Sequence, residues 1–164
     1  MNALNEFKES LNREDIVNWI RSGLIGDDVE IQGPFGPKEI IYADYVASGR
    51  ALSQVEDFIR DKVLPFYSNS HTQASFCGSY ITSIRETARS EIARMACATS
   101  ESSIIFTGSG TTAGINKLVG LLNIGKMISE SKKVVVLVGP YEHHSNLLPW
   151  RDSGAEIVEI EEDD

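Results

Sequence analysis

Two short stretches of this chain carry residue types whose spacing could do chemistry. The first is Thr107-Gly108-Ser109-Gly110-Thr111-Thr112-Ala113-Gly114, which follows the apolar run Ile104-Ile105-Phe106 and opens a segment of helical spacing that runs to Leu122. Glycines let a backbone approach a ligand closely, first-turn helix amides lack partners of their own, and the helix dipole favours negative charge there. With the hydroxyls of Thr111 and Thr112 added, such a turn would cradle a phosphate. An ordinary capped turn between a strand and a helix has much the same sequence, and that reading stays open. It is not a Walker loop, because no Gly-Lys-Ser/Thr follows at the required spacing.

The second stretch is Tyr141-Glu142-His143-His144-Ser145-Asn146, just past the apolar run Val134 to Val138. Neighbouring parallel strands deliver their C-terminal ends to one rim, and open α/β sheets bind ligands in the crevice there. The histidines and the glycine turn can therefore face one pocket. An imidazole in that place suits proton transfer, while a hydrogen-bonded loop histidine is the plain alternative. Adjacent histidines diverge as a rule, so no metal site is expected from this pair.

The elements that must position these stretches alternate. Ile104–Phe106, Val134–Val138 and Ile157–Ile160 read as strands, with helices over Gly110–Leu122 and Ser145–Trp150 between them, the pattern of a parallel α/β layer. Upstream, Asn12–Leu24 reads as one amphipathic helix, and the Gly/Pro turn from Gly33 to Pro37 leads into a short strand, Ile40-Ile41-Tyr42. Leu52–Leu64 reads as a helix stopping before Pro65, Phe66–Gly78 as a loop, and Ile81–Met95 as a long helix with a charged outer face. The expected division is an N-terminal arm over residues 1–38 and an α/β domain over 39–164. Three strands make a poor stopping point for a parallel sheet, which suggests a truncated domain. The acidic end, Glu159 to Asp164, reads as a solvated tail.

The bulk numbers narrow the partners. With 164 residues, 41% apolar and 24% charged, the chain suffices for one globular domain. A net charge of -9 disfavours nucleic acid and anionic lipid as partners, leaving small molecules or proteins. No stretch has the length of a membrane span or the look of a signal peptide, so a cytoplasmic protein is expected. Cys77 and Cys97 form no metal-ligand or redox spacing and read as free thiols.

Taken together, the segments resemble a family. Ile105-Phe106-Thr107-Gly108-Ser109-Gly110-Thr111-Thr112-Ala113-Gly114-Ile115-Asn116 is similar to the phosphate-binding segment of class V aminotransferases. Glu142-His143-His144-Ser145-Asn146-Leu147-Leu148-Pro149-Trp150 resembles the Glu-His-His-Ala-Asn…Pro-Trp run of cysteine desulfurases and selenocysteine lyases. Ile41 to Ser48 is similar to the family's Tyr-Leu-Asp-Asn-Ala-Ala-Thr opening, and Asn69-Ser70-His71 to its Asn-x-His.

The resemblance implies the three-layer α/β/α fold type I of pyridoxal 5'-phosphate enzymes, an amino-acid substrate and a homodimer in the complete protein. It makes Thr112 and the amides around Gly110 and Thr111 the ligands of the cofactor phosphate. His143 becomes the residue that stacks on the cofactor ring and moves protons; His144 receives no role. It also implies that the Schiff-base lysine and the pyridine-nitrogen aspartate lie beyond Asp164, so that the chain is inactive alone. Tyr45 and Val46 stand where the family has Asn-Ala, a change of bulk at the pocket edge. Two other readings stay open: a nucleotide-binding α/β domain using the same turn as G-x-G-x-x-A, and a non-catalytic fragment that acts by pairing with a partner chain.

Overall fold

A computed structural model describes residues 2–162; Asp163 and Asp164 of the expected acidic tail lie outside them. Contacts divide the chain into two units, Met1–Ile104 and Ile105–Asp164.

The first unit opens with two helices where the sequence suggests one. Helix α1 spans Ala3–Ser10 and α2 spans Ile16–Ser22, so the single helix expected over Asn12–Leu24 is the shorter α2. Asn2 caps α1 by accepting the Leu4 N–H at 2.9 Å, and its amide donates to Ser83 and Thr87. The Gly33-to-Pro37 turn is the tip of a hairpin, β1 (Glu30–Gly33) with β2 (Gly36–Glu39), antiparallel with Gly33 opposite Gly36. Gly36 turns the chain at φ +96°, which a side chain would oppose. The hairpin takes up this segment's strand pairing, and Ile40-Ile41-Tyr42 carries no strand; Ile41 is 93% exposed.

Helix α3 (Ser53–Phe58) continues through a π turn, Ile59–Val63, and a 3₁₀ turn, Leu64–Phe66. Helical geometry thus runs past Pro65 instead of stopping before it. Proline is tolerated because it enters the first turn of the 3₁₀ segment, where its missing N–H has no partner to lose. Helix α4 is longer than expected, Phe76–Met95, because Ser75 caps it by accepting the Gly78 N–H at 3.1 Å. Lys8 of α1 pairs with Glu91 of α4 at 2.7 Å.

The second unit is helix α5 (Gly110–Leu121), α6 (Ile124–Ser129), β3 (Val135–Val138), α7 (His144–Asp152) and β4 (Glu156–Glu159). Strands β3 and β4 pair in parallel, Val135 opposite Glu156 through Val138 opposite Glu159, and α7 is the crossover. Mixed helix and strand content with a parallel pair makes this an α/β unit. The third expected strand, Ile104-Ile105-Phe106, is not formed: among the described residues no strand ladder includes it. The core is Ile124, Trp150 and Ala155, with Ile115, Val119, Val136 and Ile157 packed against it. Leu137, on the other face of β3, is 65% exposed.

Candidate active site between α5 and α7

The site is built from two helix N-termini. Ser109 precedes α5 in extended conformation without a side-chain cap, so no hydroxyl competes for the first-turn amides. Gly110 opens the helix at φ +77°, a left-handed value that a side chain would oppose, and a Cβ there would meet nothing within 4 Å. Space is therefore open around the turn. One turn into α5, the Thr112 carbonyl accepts from the Asn116 amide at 2.9 Å.

At α7 the capping residue is His143 itself. Its Nδ1 accepts the Ser145 backbone N–H at 3.1 Å and lies 2.9 Å from the Ser145 hydroxyl. Behind it, the Asn146 amide donates to Glu142 at 2.8 Å while its carbonyl oxygen accepts the Trp150 indole N–H at 3.2 Å. These bonds tie the loop at Glu142 to the buried indole and hold the start of α7 on the core.

Between the two helices lies a cleft of about 390 Å³, walled by Thr112, Asn116, His143, His144, Ser145 and Asp152 over Leu148 and Pro149. Thr112 and His143, expected from the sequence to share a pocket, line the same cleft. Gly110 and Thr111 belong to the turn that leads into it and are not among its walls. His143 and His144 do not diverge fully: both line the cleft, their ring centroids 6.3 Å apart and their planes tilted by 60°. Among the described residues no group of His, Cys, Asp and Glu could hold a metal ion. None of the lysines Lys8, Lys38, Lys62, Lys117, Lys126, Lys132 and Lys133 lines the cleft.

Sequence reasoning gave Asn116, Ser145 and Asp152 no role, although helical spacing was the available signal. Asn116 stands four residues from Thr112 on α5, and Asp152 eight from His144 on α7. In the first unit, Asn69, Ser70 and His71 border a separate hollow of about 360 Å³, where Arg85 donates to the Ser70 hydroxyl at 3.3 Å. Val46 is fully exposed and Tyr45 packs edge-on against Tyr42 at 5.0 Å. A larger hollow of about 460 Å³, between α1 and the end of α4, is mainly apolar and gathers no catalytic groups.

The sequence pattern of the family described as Aminotransferase class-V matches residues 41–164. The chain belongs to the class V aminotransferase family. A probable cysteine desulfurase of Halalkalibacterium halodurans is 33% identical over 127 residues, covering 76% of this chain and 29% of that protein. Probable cysteine desulfurases of Staphylococcus aureus strain Mu50 and Staphylococcus epidermidis strain RP62A are 34% and 35% identical over 114 residues, 70% of this chain and 27% of each. The chain thus spans less than a third of these class V relatives. No solved structure gives a significant match. Among the described residues no helix is long and apolar enough to cross a membrane.

Proposed function

We propose that this chain is a segment of a pyridoxal 5'-phosphate-dependent enzyme of the cysteine desulfurase type, acting on an amino acid and supplying the cofactor's phosphate anchor and ring-stacking residue. The observation that carries the reading is that Thr112 and His143 line one cleft. The residues fit the group: uncapped amides at Gly110, Thr111 and Thr112, with threonine hydroxyls beside them, match a phosphate's acceptor oxygens.

When bound, the cofactor supplies an aldehyde for the substrate amine and a pyridine ring that accepts electron density. The amides of the Gly110–Thr112 turn and the Thr112 hydroxyl would hold its phosphate, and the imidazole of His143 would bear on its ring and hold a proton at Nε2 for transfer near the substrate. Leu148 and Pro149 keep water from that side of the cleft. None of the lysines lines the cleft, so the reading takes the lysine for the aldehyde from outside these 164 residues, and the chain alone has no turnover. The same reading makes residues 39–164 part of a three-layer fold type I domain, with residues 1–38 as an arm. It makes the complete protein a cytoplasmic homodimer. Family membership supports these points and disfavours the nucleotide-binding alternative.

Calorimetric titration with pyridoxine 5'-phosphate, which has no aldehyde to react with surface lysines, tests the reading. Pyridoxine 5'-phosphate binds, pyridoxine without phosphate binds much more weakly, and Thr112→Val narrows the difference. Equal affinity for the two ligands would sink it.

A further inference from the structure

We infer that Ser145 is a positioning residue for His143, fixing the imidazole in the tautomer that carries its proton at Nε2 and so fixing which nitrogen meets a bound ligand. This rests on the cofactor reading for its functional consequence, while the tautomer itself is a property of the free chain.

A backbone N–H can only donate, and the Ser145 N–H points at the Nδ1 of His143 at 3.1 Å. That nitrogen is therefore an acceptor and carries no proton in the neutral ring. The Ser145 hydroxyl, 2.9 Å from the same atom, must then donate as well, since two acceptors facing each other would repel. Both donors belong to one residue, so a single side chain and its own amide fix the ring's tautomer and its plane.

The proton of the neutral ring is left at Nε2, which has no hydrogen-bond partner among the described residues. His143 lines the cleft, so this N–H is the ring's one donor for a ligand there. His144 differs: no hydrogen bond to its ring is made by any described residue, although it borders the same cleft. The neighbouring imidazoles are thus an internal comparison, one with a fixed tautomer and one without.

Long-range ¹H–¹⁵N correlation spectra of the imidazoles, taken at about pH 8.5 where ordinary imidazoles are neutral, read the tautomer directly. Wild type shows Nδ1 of His143 unprotonated and Nε2 protonated, with His144 averaged between tautomers. Ser145→Ala leaves the amide as the remaining donor to Nδ1, so the Nε2-protonated form still predominates but His143 shifts part-way toward the averaged pattern; Ser145→Thr restores the wild-type pattern. Circular dichroism is the same in all three. In parallel, Ser145→Ala weakens pyridoxine 5'-phosphate about two- to twelve-fold, the size of one neutral hydrogen bond. A protonated Nδ1 in wild type, or nitrogen shifts unchanged in Ser145→Ala, overturns the inference. A fixed tautomer in a wild type that binds no pyridoxine 5'-phosphate supports the tautomer assignment and overturns the cofactor reading instead.

Discussion

The indole N–H of Trp150 donates to the side-chain oxygen of Asn146 at 3.2 Å, one helical turn away on α7. Trp150 is 9% exposed and belongs to the core with Ile124 and Ala155, so its donor cannot turn to water without cost. Asn146→Ala leaves that donor unsatisfied and frees Glu142 as well, and should cost about 1–3 kcal/mol. Asn146→Asp keeps an acceptor for the indole but sets a second carboxylate against Glu142, and should cost less. Urea midpoints followed by circular dichroism check both. An unchanged midpoint for Asn146→Ala would show that the bond does not hold α7 in place.

His143 combines two tasks that substitution can separate. As capping residue of α7 it satisfies the Ser145 amide, and as a wall of the cleft it presents a ring. His143→Ala loses both, with about 1 kcal/mol of stability lost with the cap. His143→Asn retains a capping oxygen and should keep stability within about 0.5 kcal/mol, while losing ring contact. Pyridoxine 5'-phosphate should therefore bind both variants equally weakly, although only the alanine variant melts early. Wild-type affinity in His143→Asn would remove the imidazole from the site.

How much of this was legible in the sequence follows from where each signal is local. Helices α5 and α7 and strands β3 and β4 announce themselves by period and glycine turns and lie close to where they were expected, whereas the short helix α6 was not read from the sequence. Ile104–Phe106 is as apolar as β3, yet a strand depends on a ladder partner that no local pattern reveals. Helix α1 was missed because its sequence, Ala-Leu-Asn-Glu-Phe-Lys-Glu-Ser, is short and largely polar. It is fixed by Asn2 reaching Ser83 and Thr87, contacts more than eighty residues distant. The shared cleft of Thr112 and His143 was read from parallel strands bringing their ends to one rim, yet the strand before α5 is not formed, and the two residues meet because α5 packs beside α7. The bonding of Ser145 to the His143 ring was not readable, since spacing cannot tell a capping imidazole from a free one.

Gly110 tests the phosphate turn separately from the threonines. Its φ of +77° lies where a Cβ strains the backbone, yet the added atom would meet nothing within 4 Å. Gly110→Ala should thus cost about 1–2 kcal/mol through the backbone alone, measured as a lowered urea midpoint. Affinity for pyridoxine 5'-phosphate should fall further than stability accounts for, because relief of strain swings the first-turn amides away. Binding at wild-type strength in a folded Gly110→Ala variant would show that these amides do not hold the phosphate.

The docking of α1 on α4 should depend on acid. The Lys8 ammonium donates to the Glu91 carboxylate at 2.7 Å and the Arg94 guanidinium donates to the same carboxylate at 3.0 Å, and these bonds, Lys8 first, hold the Glu91 carboxyl below its ordinary value of 4.5. A carboxyl whose folded pKa is depressed contributes stability above its unfolded value and loses it as pH falls through the folded one. Amide exchange in Ala3–Ser10 should therefore show constant protection from neutral pH down to the usual glutamate range and a loss below it. The site is exposed, so added salt should blunt the effect. Glu91→Gln should flatten the acid-dependent loss, and Lys8→Met should shrink it, since only Arg94 then depresses the carboxyl. A loss of equal size in Glu91→Gln would assign the acid sensitivity of α1 to another group.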